Sequence, residues 1–186
     1  MPDESSAREA RHVTNRGYGP DEPRATRPTM PEGYGVPEGD EGMVPWRFVT
    51  ERLERALSYW VCTTRPDGRP HAMPIWGGWV DGTLYVEGSP QTRRGRNLAA
   101  NPSVVVHLES ADEVVILEGT AEEIERPDPS LAERIAEAFG AKYASYNYRP
   151  TPDQWNEGGL YAVRPRTVFA WSEFPRTATR FLFDGS

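Results

Sequence analysis

Short apolar runs separated by turn residues fill the chain from residue 45 onward, and a different pattern precedes them. Trp46 follows Pro45, a residue suited to a first helical turn. Phe48, Leu53 and Leu57 then supply a loose apolar face, which predicts a short helix. Residues 57–65 (LSYWVCTTR) are rich in aromatic and β-branched side chains and read as a strand. Pro66-Asp67-Gly68 is a turn, because proline sets φ and glycine accepts a positive one. A second strand is predicted over 69–79, a hairpin at Asp81-Gly82, and a third strand over 83–87. The polar segment 91–101 reads as a helix that Asn101-Pro102 ends. Strands follow over 104–108 and 114–117, with strand-like character again over 120–125, after Gly119. Asp128 and Pro129 open a helix as N-cap and first residue. Its apolar face is Leu131, Ile135 and Phe139, and Gly140 is placed to cap its end. The last strands fall over 160–163, 167–171 and 180–183.

Six to eight short strands, mostly joined by hairpins, with two or three helices between them, predict an α+β chain dominated by β structure. The expected architecture is a closed or half-closed antiparallel barrel. Residues 1–45 do not share the pattern. They hold 7 of the 18 prolines, 6 of the 17 glycines and 14 charged residues, with neither helical nor strand periodicity. Such a stretch buries too little apolar surface to offset its ordering entropy. The chain therefore divides into an arm, 1–44, and a domain, 45–186. The arm is expected to be flexible, with residues 1–40 dispensable for folding; Tyr18, Tyr34 and Met43 would serve as anchors if it wraps a partner subunit.

Composition narrows the function classes. A net charge of −7 excludes a global footprint for nucleic acid or an anionic membrane. The single cysteine, Cys62, leaves no internal disulfide and no cysteine-based metal cluster, and a small core residue is its default role. No run of apolar residues is long enough to span a membrane, and the first thirty residues lack the apolar core of a signal peptide. A soluble, cytoplasmic protein is expected.

Candidate chemistry is sparse, and no residue stands out as catalytic. His12 lies in the arm, and His71 and His107 suit structural positions in strands. There is no HExxH, GxSxG, P-loop or GxGxxG. Against the acidic background, 88–97 (GSPQTRRGRN) gathers three arginines at a strand-to-helix junction beside Ser89 and Thr92. A helix N-terminus offers free N–H groups, and arginine adds forked donors, so the segment suits an anion. It equally suits a solvated basic face on a short helix. The second strand carries Pro70 and Pro74 and ends in Gly77-Gly78. Prolines remove ladder donors, so its backbone is either open to a flat ligand or bent at a barrel corner.

Taken together, these segments resemble the pyridoxamine 5′-phosphate oxidase-like superfamily of split β-barrel flavin and deazaflavin proteins. The resemblance rests on the strand–PDGRP–strand opening, the TRRGRNLAANP segment and the strand–EGT turn at Glu118-Gly119-Thr120. It runs from about Pro45 to the end, and the tail (VRPRTVFAW, then TATRFLF) is similar to the branch that uses coenzyme F420. The resemblance implies an antiparallel split barrel with short flanking helices, forming a homodimer with two cofactor sites at the interface. It implies that Ser89, Thr92, Arg93, Arg94 and Asn97 hold the cofactor phosphate. It implies that Met73, Pro74, Ile75 and Trp76 carry the tricyclic ring. Many members have lysine where this chain has Arg94. The C-terminal Arg-x-His substrate motif of true pyridoxamine phosphate oxidases is missing from the tail, which reads Arg180-Phe181-Leu182. The implied activity is an F420H2- or flavin-dependent reductase, with F420 favoured over FMN and a small organic molecule as acceptor. A cofactor carrier without turnover and an FMN-dependent oxidase of a small amine are the alternatives. No metal is expected.

Overall fold

The computed structural model describes residues 22–183. Side-chain alternation builds the sheet. In β2 (Tyr59–Thr64), Tyr59, Val61 and Thr63 point inward and are buried, while Trp60 and Cys62 point outward and stay half-exposed. The strand thus sorts its side chains between two faces with a period of two. Cys62 is therefore not a core residue, and partial burial raises its thiol pKa.

The remaining strands are β1 (Arg24–Thr26), β3 (Pro70–Ile75), β4 (Gly77–Val80), β5 (Thr83–Glu87), β6 (Ser103–His107), β7 (Val114–Ile124), β8 (Leu160–Trp171) and β9 (Thr179–Leu182). All pair antiparallel, in the order β1-β9-β8-β7-β6-β2-β3, and β4-β5 joins through β8. The helices are α1 (Trp46–Arg55), α2 (Arg93–Ala100) and α3 (Pro129–Lys142). The split antiparallel barrel of the sequence reading is the fold observed.

Four expectations need correction. The strand foreseen over 69–79 is two strands that part at Trp76. A Cβ on Gly77 would press on the Tyr85 carbonyl and the Tyr59 ring, so a glycine there allows the turn. The runs 114–117 and 120–125 are one strand, β7, bulged between Glu118 and Gly119. Likewise 160–163 and 167–171 are one strand, β8, whose first half pairs β5 and whose second half pairs β9. Helix α3 passes Gly140 and ends at Lys142, because Phe139 and Tyr143 pack into a buried cluster that draws the last turn along.

The arm is corrected in part. Its residues 1–21, with Tyr18 and His12, lie outside the described residues. Residues 22–44 dock: β1 adds to the sheet edge beside β9, and the Arg27 guanidinium donates to the carbonyls of Gly39, Glu41, Arg176 and Ala178. Val44 is buried, and its amide donates to Thr179 Oγ1.

Two apolar clusters result. The barrel interior holds Tyr59, Leu84, Val86, Val106, Leu117 and Phe181 among others. A second cluster, under α3, holds Tyr85, Ile135, Phe139, Tyr143, Trp155 and Leu160. Strand β5 separates them, with Leu84 and Val86 on one side and Tyr85 on the other. Both of its faces are covered, which is why it reads as a continuous apolar run.

Candidate functional site

The turn between β5 and α2 is built from its own side chains. Thr92 caps α2, its Oγ1 accepting from the Gly95 amide at 3.1 Å, and its hydroxyl donates to the Ser89 carbonyl at 2.8 Å. Ser89 Oγ accepts from the Gln91 amide at 3.1 Å. A Cβ on Gly95 would collide with the Pro90 backbone, so the turn folds tightly onto the helix only with glycine there. The hydroxyls of Ser89 and Thr92 are therefore engaged in holding the turn, and both residues remain exposed.

The two arginines behave differently. Arg93 is exposed and forms no ion pair among the described residues. Arg94, expected at the surface, is only 5% exposed. Its Nη2 donates to the Glu87 carbonyl at 2.9 Å, and its guanidinium lies 5.5 Å from the centre of the Tyr161 ring. Gly88, at φ 145°, leaves room for that guanidinium where a Cβ would sit. Burial lowers the pKa of Arg94, and Tyr161 partly opposes the shift. Arg94 Nε is buried without a protein partner. Asn97, fully buried, donates from Nδ2 to Thr63 Oγ1 at 2.9 Å, and its Oδ1 is also without a partner.

Through Thr63 this helix reaches the edge of the barrel. Thr63 lies opposite His71 in the β2–β3 register, 3.5 Å from its Nδ1. Partial burial, and then the charges of Arg65, Arg93 and Arg94, depress the pKa of His71. These four residues therefore share one positive patch, with Asp67 nearby, and among the described residues no carboxylate forms an ion pair with its arginines. Arg65 Nε is a further buried polar atom with no partner.

Strand β3 leads away from this patch with only β2 as a partner, so one edge is open. Met73 is 47% exposed and Pro74 is exposed, whereas Ile75 packs against the barrel core. From His71, Met73 and Ile75 lie about 7 and 13 Å along the strand by its rise. Trp76 is half-buried. It stacks on Tyr143 at 4.4 Å, with Tyr146 and Tyr148 tilted against it at 5.2 and 5.6 Å. The nine residues expected at the site thus fall into two groups along one barrel edge: Ser89, Thr92, Arg93, Arg94 and Asn97 at one end, and Met73 to Trp76 at the other.

Sequence reasoning missed Arg65 and the tyrosines at 143, 146 and 148, and it assigned His71 to structure alone. The tyrosine spacing in YASYNY was the available signal. It also missed Glu87. The Glu87 carboxylate accepts from Gln154 Nε2 at 3.1 Å and Trp155 Nε1 at 3.3 Å, pinning the segment after α3 beside the β5–α2 turn. His107 is a strand histidine as expected, its Nδ1 2.8 Å from the Leu108 carbonyl and its ring stacked on Trp60. The described residues contain no cluster of metal-ligating side chains and no helix long and apolar enough to cross a membrane.

A family model described as pyridoxamine 5′-phosphate oxidase matches residues 47–172. The chain belongs to the pyridoxamine 5′-phosphate oxidase family. No curated protein matches it. Among solved structures, a conserved hypothetical protein from Mycobacterium tuberculosis is similar at 23% identity and a TM-score of 0.58, over 70% of this chain and 87% of that one. The general stress protein 26 of Bacillus anthracis is similar at 20% identity and a TM-score of 0.53, over 67% and 91%. A heme binding protein from Mycobacterium smegmatis is similar at 19% identity and a TM-score of 0.56, over 75% and 59%. At these identities the likeness is one of fold. The family's name refers to oxidase chemistry on a vitamin B6 compound; the Arg-x-His motif of that activity is missing from the tail here.

Proposed function

We propose that this family member is an F420H2- or flavin-dependent reductase, with F420 the favoured cofactor. One observation carries the reading: arginines without ion pairs gather at one end of an open-edged strand in an otherwise acidic chain. Buried nitrogens on Arg65 and Arg94 and the buried oxygen of Asn97 lack protein partners. A phosphate would accept from the arginines and a hydroxyl beside it would donate to Asn97, so the donor and acceptor set fits a phosphorylated cofactor.

In this reading Arg93, Arg94 and Asn97 hold the phosphate on the turn shaped by Ser89 and Thr92. Arg65 and His71 extend the positive field toward the barrel edge. Met73, Pro74, Ile75 and Trp76 form the bed for the ring, where the missing proline N–H and the open strand edge leave backbone groups free. Trp76, backed by Tyr143, Tyr146 and Tyr148, walls off one end from water. When bound, the deazaflavin or flavin supplies the hydride chemistry, and the chain supplies binding and orientation. This division of labour suits a site with no paired acid and base.

The reading includes a homodimer. A row of outward side chains crosses the sheet in register: Trp60, His107, Ile116 and Phe169. All four are half-exposed, and an apolar row of this kind suits a partner subunit. Sedimentation showing a monomer at micromolar concentration would overturn the dimer.

The test of function is titration with F420 and with FMN, followed by anaerobic stopped-flow on the reduced complex with small organic acceptors. Oxidation of the bound reduced cofactor by an acceptor supports the reductase. Tight binding without hydride transfer would identify a carrier, and binding of neither cofactor would overturn the assignment.

A further inference from the structure

Of the 21 basic side chains in the sequence, Lys142 is the one lysine; all the others are arginine. It sits at the last position of α3, where its ammonium bridges three elements. Nζ donates to Tyr59 Oη at 2.7 Å, to the Gly77 carbonyl at 3.2 Å and to the Leu53 carbonyl at 3.4 Å. All three acceptors are neutral, and among the described residues no carboxylate forms an ion pair with Lys142. Lys142 also lines a cavity of about 430 Å³ between α1, β4 and α3. Two of its acceptors, Leu53 and Gly77, precede wall residues Glu54 and Gly78, so the amine lies where these elements meet. No wall residue belongs to the proposed cofactor site.

We propose that Lys142 is a covalent capture site for small aldehydes that carry a flat apolar group. The cavity wall supports the class of compound. Trp79 and Leu57 supply apolar surface, and Leu57 is 46% exposed with nothing described covering it. Ala138, Ala141 and Gly78 keep the space open by being small. A volume of this order accommodates a small aromatic molecule.

The choice of lysine supports the chemistry. Arginine stays protonated in proteins and is no nucleophile, whereas a desolvated lysine is a usable one. Burial lowers the pKa of Lys142 to about 8, with Glu54 opposing weakly. Tyr59 from β2 and Tyr143 beside Lys142 face the same spot, and burial keeps both phenols protonated. Arg55 at the rim pairs with Glu51 at 2.9 Å. About one amine in ten is then neutral at pH 7, against about one in 3,000 for an ordinary lysine. The neutral nitrogen adds to the carbonyl carbon, forming a C–N bond. The carbinolamine then loses its hydroxyl and the second amine proton as water, which leaves an imine. No oxidant or reductant is consumed. The Tyr59 phenol accepts from Nζ and donates its own hydrogen to the Leu53 carbonyl, so it orients the amine, and solvent protonates the leaving hydroxyl.

The experiment traps the imine. The folded protein is treated briefly at pH 7 with benzaldehyde and cyanoborohydride, and adducts are mapped by mass spectrometry. The same reaction is run on the urea-unfolded chain, and the N-terminal amine serves as an internal rate standard in both. With one lysine in the chain, the side-chain adduct has a single possible position. The proposal expects Lys142 to be labelled at least about 10-fold faster in the folded protein, since lower basicity also reduces intrinsic nucleophilicity. Equal or slower labelling in the folded protein overturns it, because Lys142 is then only a structural bridge. Labelling by formaldehyde but not by benzaldehyde also overturns it, because the cavity then excludes the proposed class.

Discussion

Two regions of this protein concentrate positive charge that forms no ion pair among the described residues, and they do so by opposite means. Around α2 the cations are arginines, fixed in charge and rich in donors, gathered beside a turn and the His71 end of an open-edged strand. At the end of α3 the cation is a lysine, enclosed by neutral acceptors at the wall of a half-apolar cavity. The first arrangement keeps its charge and suits an anion. The second weakens its charge and suits an uncharged electrophile. Burial alone does not separate them, because Arg94 is buried too. The difference lies in whether the group can release its proton once water is removed.

The comparison breaks most sharply at two glycines. In Gly95→Ala the new Cβ would meet the Pro90 backbone, which has no flexible end to move aside. The α2 turn must open, and binding of F420 or FMN should be lost while aldehyde capture at Lys142 continues. In Gly78→Ala the Cβ meets the Phe139 ring at 3.0 Å, an overpacking that costs about 1–3 kcal/mol. That variant should slow capture and leave cofactor binding intact. Paired titration and labelling of the two variants check the separation.

The adjacent arginines give the next effect. Arg94→Ala removes the bond to the Glu87 carbonyl and the contact with Tyr161, so it should lower stability by about 1–3 kcal/mol as well as weaken cofactor binding. Arg93→Ala should leave the melting temperature nearly unchanged. Its loss of one charge-assisted contact should weaken binding by about 10-fold. Thermal melts set beside titrations separate the two roles; equal stability loss in both variants would contradict the observed burial.

How much of this was legible in the sequence depended on whether local residues decide the outcome. The Asp81-Gly82 hairpin turn, the Asp128 cap and the strand character of 59–64 are local, and they were read correctly. The long strands β7 and β8 were read as fragments, because Gly119 and Pro165 look like breaks until the opposite strand is present. Gly119 faces the Arg164 and Pro165 backbone so closely that any side chain would collide. The residues expected at the site lie on the β5–α2 turn and α2 and along β3 to Trp76, but nothing local marks Arg94 as turning inward. Its burial depends on Gly88, Glu87 and Tyr161, and Tyr161 is 67 positions away. Docking of 22–44 was illegible for the same reason: Arg27 finds two of its four acceptors on the distant backbone of Arg176 and Ala178.

Stability against pH sharpens the comparison from the lysine side. Lys142 has a folded pKa of about 8, below its unfolded value. Between about pH 8 and 10 the unfolded chain therefore binds more protons, and stability should rise with pH. Tyr143, Tyr148 and Tyr161 are raised by burial to about 12, and Tyr59 is raised further. Their contribution is complete below about pH 10 and is lost as pH climbs through the folded values. The melting temperature should therefore peak between about pH 9 and 10. Lys142→Met should flatten the rising limb and keep the falling one. The arginines contribute to neither limb, so Arg93→Ala should leave the profile unchanged.

Ionic strength gives the smallest effect and separates the regions within single measurements. The Debye length falls from about 10 Å at 0.1 M salt to about 3 Å at 1 M. Arg93 is exposed, so its attraction for a phosphate is screened over this range. Arg94 is buried and acts at contact, so its part is screened much less. Cofactor affinity should therefore fall with salt, and Arg93→Ala should flatten that slope. Arg94→Ala should lower affinity at every salt concentration while largely preserving the slope. F420 carries carboxylates beyond its phosphate, so its slope should be steeper than that of FMN. Benzaldehyde is uncharged and the Lys142 amine is shielded, so the labelling rate should change by less than about twofold over the same range. A slope that disappears with Arg94→Ala and survives Arg93→Ala would place the screened charge on the buried residue and reverse the roles given to the pair.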